Sequence, residues 1–338
     1  MKEDSEKIAK QIQALLKERG TKALEMARQE ILKEKIECKE IKEALKYFMT
    51  KYWNDLARPT LLSLACESIG GDPYVTTPIA IPMSLISGAT DIHDDIIDES
   101  KTKYGRPTVY GKYGRDVALL AGDALFFKGL IHLNQISENV ISKEKMEKVV
   151  SIIKKTFFEL GDAESLELGF RNRFNIKPKE YLHLVEMKSA DVDAHTRIGA
   201  IIGGGMESEI DTLGIYGRFL GMTLTLRDDL QDVMDQREFS HRIRKEFPPL
   251  PIIYALCDSS LRTKIISILT RKKITNENLQ MLLSREALNR TREKMLEYFD
   301  KASKAIQKVK YPQKLLLFAA ASTIPYEKEE IFEGLGYR

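Results

Sequence analysis

Two segments of this 338-residue chain carry the same arrangement of acids at the end of apolar runs. Asp94-Asp95-Ile96-Ile97-Asp98 closes SLISGATDIHDDIID, and Asp228-Asp229-Leu230-Gln231-Asp232 closes LGMTLTLRDDLQDV. On a helix, residues i and i+4 share a face, so the outer carboxylates of each cluster stand together. Three acids on one turn repel each other, which costs stability unless cations sit among them. Hard divalent ions, above all Mg²⁺, take oxygen ligands and keep waters and substrate phosphates as partners. The plainer reading of either cluster is a solvated acidic face. With 19 Asp in the chain, one such pattern arises by chance in roughly 6 % of chains and two in well under ~1 %. The apolar flanks turn both clusters toward a cavity.

The rest of the chain reads as helix. No Asn-Gly or Asp-Gly hairpin separates alternating runs, and no GxGxxG follows a strand-like segment. No fixed-period repeat or Ser/Gly/Pro-rich linker divides it, so one all-α domain over 1–338 is expected, with charged amphipathic helices over 1–50. The uncharged stretch from Asp72 to Asp91 holds Pro73, Pro78 and Pro82. It is too polar for a membrane span and reads as a buried helix. Pro178 fits the first turn of a helix running to about Ala200. A basic, Pro-rich loop starts at Ser240.

Composition excludes several functions. Lys plus Arg number 53 and Asp plus Glu 50, a net charge of +3, which gives no general reason to bind nucleic acid. Cys38, Cys66 and Cys257 form neither a disulfide framework nor a zinc cluster, in keeping with a reducing, cytoplasmic setting. The charged N-terminus is unlike a signal peptide, and no transmembrane segment is expected.

Tyr181, Val185 and Val192 make a helical stripe on which Lys188 falls. A lysine there either snorkels to water or points a cation at a bound polyanion. Metal ions and such a lysine can bind a diphosphate and stabilise its charge as it leaves. An allylic carbon would be left as a cation, shielded in a water-poor helical cavity.

The segments ARPTLLSLACESIGG, SGATDIHDDIID, GRPTV, LLAGDAL, EMKSA, RDDLQD and LPIIYAL resemble the polyprenyl synthetase (trans-isoprenyl diphosphate synthase) family, in its order and approximate spacing. The resemblance implies the all-α isoprenoid synthase fold, a helical bundle around a central cavity. It implies a homodimer with three Mg²⁺ ions and an allylic prenyl diphosphate as substrate, with loose membrane association only through a lipophilic product. It assigns Asp94, Asp98, Asp228 and Asp232 to the metals, with Asp95 and Asp229 in support, and makes Lys188 the lysine of the KT motif.

The departures from the family pattern cluster at one subsite. The family's GGKRxRP should end at Arg58-Pro59, yet Asp55 and Leu56 stand where it has lysine and arginine. Its paired arginines are here Lys103-Tyr104. The resemblance assigns the three lost cations to the isopentenyl diphosphate site and leaves Arg58 and Lys103 as substitutes, Lys103 at the allylic diphosphate. Leu224 and Thr225 replace a phenylalanine and a glutamine. The loop after the second cluster is shortened, with Arg242, Arg244 and Lys245 left to cover a diphosphate. Asp91 adds an acid one turn before Asp94, either as a supporting carboxylate or as a base toward the cation.

The first functional expectation is a terpene synthase-like enzyme that ionises one allylic diphosphate, then cyclises, eliminates or hydrates the cation. The alternatives are geranylgeranyl-type chain elongation with isopentenyl diphosphate, a subunit of a heteromeric prenyl synthase, and prenyl transfer to another acceptor. Ser87, Gly88, Ala89 and Thr90, about one turn below Asp94, are small. Ala89 and Thr90 are therefore expected to leave a pocket floor open to substrates of C20 or longer.

Overall fold

The computed structural model describes residues 2–103, 105–271 and 274–323. Sixteen α-helices occur among them: α1 Lys2–Leu32, α2 Lys39–Tyr47, α3 Ala57–Ser68, α4 Thr77–Ile97, α5 Val109–Tyr113, α6 Arg115–Asn134, α7 Lys143–Phe170, α8 Pro178–Lys188, α9 Ala190–Gly203, α10 Glu207–Asp232, α11 Gln236–Lys245, α12 Leu250–Leu256, α13 Ser259–Leu269, α14 Asn276–Leu282, α15 Arg285–Ile306 and α16 Gln313–Thr323. The all-α expectation holds. One small exception is an antiparallel hairpin, β1 Thr102–Lys103 and β2 Arg106–Pro107. Its turn contains Gly105 at φ 71°, a left-handed backbone that glycine adopts at little cost.

The chain forms two compact units. The first comprises residues 9–150 and 195–210. Its core gathers Leu24, Leu45, Phe48, Trp53, Leu85, Ile92 and Leu125 around α4. The uncharged stretch from Asp72 does build a buried helix, α4, entered through a 3₁₀ turn in which the Asp72 side chain accepts the Tyr74 N–H. Small residues on α6 set how close α4 can come. A Cβ on Gly122 would lie 2.4 Å from His93 Nε2, and one on Gly129 would lie 2.7 Å from the Ile86 side chain.

Among the described residues, the second unit comprises 151–194 and 211–323, with the first turns of α1. Its core runs through Phe170, Tyr181, Leu226, Leu230, Phe239, Ile253, Leu288 and Met295. The helix expected from Pro178 to about Ala200 is broken at Ser189 into α8 and α9. The Ser189 hydroxyl donates to Val185 O at 2.7 Å, and its backbone N–H is shared between Val185 and Glu186. This local bonding competes with helix continuation. Gly221 of α10 meets the break, where a Cβ would stand 2.7 Å from Ser189 Cβ.

Candidate active site

The first acid cluster ends α4. Asp98 is the C-cap, and Glu99 follows with φ 53°. Glu99 N–H donates to Ile96 O and Ser100 N–H to Asp95 O, the pair of bonds of a Schellman closure. The chain then turns into the β-hairpin, whose register sets Lys103 opposite Arg106. Lys103 thus reaches back to the cluster, 3.1 Å from Asp94 and 2.9 Å from Asp95. Asp95 is buried, and burial pushes its carboxyl up to about 6 against the pull of the Lys103 ammonium. Burial works to lower the Lys103 ammonium, but the Asp94 and Asp95 carboxylates outweigh it and raise it.

A π-helical turn, Phe48–Tyr52, precedes α3. Trp53 N–H closes it by donating to Phe48 O at 2.8 Å, and the Trp53 and Phe48 rings stack. The indole Nε1 then donates to Asp91 Oδ2 at 2.7 Å. Asp55 accepts the Ala57 and Arg58 backbone N–H groups that open α3, and its other oxygen takes the Arg58 guanidinium at 2.7 Å. Arg58 also reaches Asp91 at 3.4 Å. Asp55 is therefore a helix cap and a partner of Arg58, roles invisible in the motif comparison.

These groups line a cavity of about 570 Å³, with Tyr52, Trp53, Asn54, Asp55, Arg58, Asp91, Asp94, Asp95, Lys103 and Arg106 on its walls. Sequence reasoning placed Arg58, Asp91, Asp94, Asp95 and Lys103 at a site and missed Arg106, Trp53 and Asn54. The signal for Arg106 lay in GRPTV, once Gly105 is read as a hairpin turn. Ala89 is not on the wall: it has no exposed surface and lies in the core with Phe48 and Trp53. Bulky aromatics from the neighbouring turn close the space beside Gly88, where a Cβ would be 3.0 Å from the Phe48 ring. Thr90 is half-buried and donates to Ser87 O. Tyr104 lies outside the described residues.

In the second unit, the DDLQD cluster ends α10 with its acids on different faces. Asp228 is exposed and bound by Arg227 at 2.7 Å, while Asp229 is wholly buried. Asp229 accepts the Tyr181 hydroxyl at 2.6 Å, Arg242 at 2.7 Å and Leu250 N–H at 3.1 Å. Burial and the Asp229 charge raise the Tyr181 phenol well above its ordinary range, so it stays a donor. Asp232 is half-buried and also bound by Arg242, at 2.7 Å. Lys188 does lie beside buried Tyr181 and Val185, but its ammonium is paired with Glu164 at 3.2 Å and with Glu167. The Thr225 hydroxyl is turned onto its own helix, donating to Gly221 O at 3.1 Å. Lys245 sits half-buried in the last turn of α11.

The profile of the polyprenyl synthetase family matches residues 38–285. The chain belongs to the polyprenyl synthetase family. Among curated members, it is 35 % identical over 182 residues to a short chain isoprenyl diphosphate synthase of Methanothermobacter thermautotrophicus, covering 54 % of this chain and 55 % of that one. It is 31 % identical over 188 residues to a geranylgeranyl diphosphate synthase of Methanosarcina mazei, covering 55 % and 57 %. The matched region thus spans just over half the length of these relatives. Among polyprenyl synthetase structures, the chain superposes on a geranylgeranyl pyrophosphate synthetase from Pyrococcus horikoshii with a TM-score of 0.82. That superposition covers 95 % of this chain and 99 % of the other at 24 % identity. The fold expected from the resemblance is thereby established. No described helix is long and apolar enough to cross a membrane.

Proposed function

We propose that the chain is a chain-elongating prenyl diphosphate synthase of the short-chain, geranylgeranyl type, joining an allylic prenyl diphosphate to isopentenyl diphosphate. The observation that carries this reading is the meeting of Arg58, Lys103 and Arg106 on one cavity. A diphosphate needs such a set of donors, and charge-assisted bonds are the strong ones. Three charged positions of the family pattern are lost at Asp55, Leu56 and Tyr104, yet Arg106 brings back a cation that the pattern does not predict. The names of the curated relatives, a short-chain synthase and a geranylgeranyl diphosphate synthase, support elongation over the one-substrate, terpene synthase-like reading, which becomes the alternative outcome of the test.

In this reading the allylic C–O bond breaks and diphosphate departs. The acceptor double bond attacks the resulting cation to form the new C–C bond, and the carbocation so formed gives up an adjacent proton to the departed diphosphate as the double bond is restored. The outer acids Asp94 and Asp98, and Asp228 and Asp232, offer the hard oxygen donors that suit Mg²⁺. Bound Mg²⁺ would neutralise the departing diphosphate. Asp95 and Asp229, held by internal cations, support the backbone of each cluster. Lys188 is held by Glu164 and Glu167. Arg244 and Lys245 of α11 are left to cover a diphosphate, whereas Arg242, buried on Asp229 and Asp232, is turned away from that role. Asp91 orients Arg58 and Trp53. Catalysis by one domain is part of the same proposal.

A homodimer is also proposed. Leu119, Leu120, Phe127, Leu130 and Ile131 form an exposed apolar row on one face of α6. A second copy of the chain would bury it.

The test is incubation with C10, C15 and C20 allylic diphosphates and Mg²⁺, with and without isopentenyl diphosphate. Lengthened products, and a Michaelis constant for isopentenyl diphosphate that rises about tenfold or more in Arg106→Ala, are expected from the loss of one charged hydrogen bond. Diphosphate release without lengthening would replace elongation with the terpene synthase-like reading.

A further inference from the structure

Arg242 joins two carboxylates of very different exposure. One guanidinium nitrogen, Nη1, lies 2.7 Å from Asp229 Oδ1 and 2.7 Å from Asp232 Oδ2. Asp229 is fully buried, whereas the Asp232 side chain keeps 30 % of its surface exposed. The other nitrogen, Nη2, donates to the Tyr181 hydroxyl at 2.9 Å, and that hydroxyl donates to both oxygens of Asp229. The guanidinium plane is backed by the Phe247 ring at 5.5 Å. Tyr181 therefore fixes the arginine, and the arginine fixes Asp232.

A buried network of this kind is weak evidence for stability, because desolvating the charges offsets much of their attraction. Its geometry serves orientation instead. Asp229 has its lone pairs taken by the Tyr181 hydroxyl, Arg242 and the Leu250 N–H, which removes it from competition for a cation. Asp232 has one oxygen held and its rotamer set by a partner that is itself immobile. The first cluster repeats the arrangement with different residues: Lys103 bridges buried Asp95 and part-exposed Asp94. In both clusters an internal cation ties the middle acid to an outer one.

We propose that Arg242, held by Tyr181, is a positioning residue that sets Asp232 for a divalent ion and keeps Asp229 out of that role. This rests on the reading that the second cluster binds Mg²⁺. Groups that orient a ligand in this way typically change metal affinity ten- to a hundredfold when removed.

The experiment reads Mn²⁺ binding by electron paramagnetic resonance in the presence of inorganic diphosphate. It uses the full chain carrying Asp94→Asn and Asp98→Asn, so that the second cluster supplies the signal. Asp232→Asn added to this chain should abolish the bound ion. Tyr181→Phe and Arg242→Lys should each weaken it by about tenfold. In the otherwise native chain, the Mg²⁺ concentration for half-maximal turnover should rise by the same factor, with kcat at saturating Mg²⁺ nearly unchanged. A merely structural network would lower the melting temperature and leave the Mn²⁺ dissociation constant within twofold, which overturns the proposal. Retention of the ion in the Asp232→Asn chain overturns the metal reading beneath it, and the proposal with it. Should Arg242→Lys fail to fold, Tyr181→Phe decides alone.

Discussion

The Arg58 guanidinium donates to Asp55 Oδ2 at 2.7 Å, three residues back along the chain, while Asp55 Oδ1 accepts the first N–H groups of α3. The cation that faces the cavity is thus held by an acid that also caps its helix. A diphosphate entering the cavity has to draw Arg58 away from that acid. Asp55→Asn keeps an oxygen for the cap and removes the competing charge. It should lower the Michaelis constant for isopentenyl diphosphate by about tenfold, the effect of roughly 1.4 kcal/mol, with little change in kcat. Steady-state kinetics with the allylic substrate saturating would show it, and an unchanged constant would mean that Arg58 is not engaged by the acceptor.

The two neighbouring acids Asp228 and Asp229 should behave oppositely. Asp228 is exposed, so Asp228→Ala should abolish turnover while leaving the melting temperature within a few degrees. Asp229 is buried against Arg242 and Tyr181. Asp229→Ala removes the one fully buried carboxylate on Arg242, leaving the guanidinium only part-exposed Asp232 and Glu246, and leaves the Tyr181 hydroxyl without its acceptor. It should cost about 3 kcal/mol of stability. Urea unfolding followed by circular dichroism separates the two. Asp94→Ala belongs with Asp228→Ala, inactive and folded.

Ala89 sits in the core of its unit with no exposed surface. Ala89→Phe should therefore act as an overpacking substitution, costing about 1–3 kcal/mol, rather than as a clean change in product length. A fully stable variant with a shifted product-length distribution would restore Ala89 to the pocket floor.

Cys66 is buried, and its thiol donates to Asp72 O at 3.2 Å. Burial pushes the thiol up to about 12, from an ordinary value of 9.0. Between those values an unfolded chain gives up this proton and the folded chain keeps it. The contribution to stability is therefore complete below pH 9 and is lost as pH rises toward 12. At pH 8, an alkylating agent should label exposed Cys38 and Cys257 and spare Cys66 in the native protein, as peptide mass mapping would show. Labelling of Cys66 at a comparable rate would show that α3 opens locally.

Much of this protein was legible in its residues. The helix buried after Asp72 and the all-α class follow from spacing and hydropathy, because helix periodicity is a local property of the chain. What tertiary structure decided is which charges meet. Lys188 reads as a cation on an apolar stripe, yet Glu164 and Glu167 of α7 take its ammonium. Asp55 reads as a lost lysine, yet it caps α3 and holds Arg58. Ala89 reads as an open floor, yet Phe48 and Trp53 share its core. Arg106 has no role in the family pattern, yet the hairpin register carries it to the cavity. Each depends on residues distant in sequence or on a single turn geometry. A charge's effect is set by its neighbours in space, where pairing and burial decide whether it faces a ligand or another side chain.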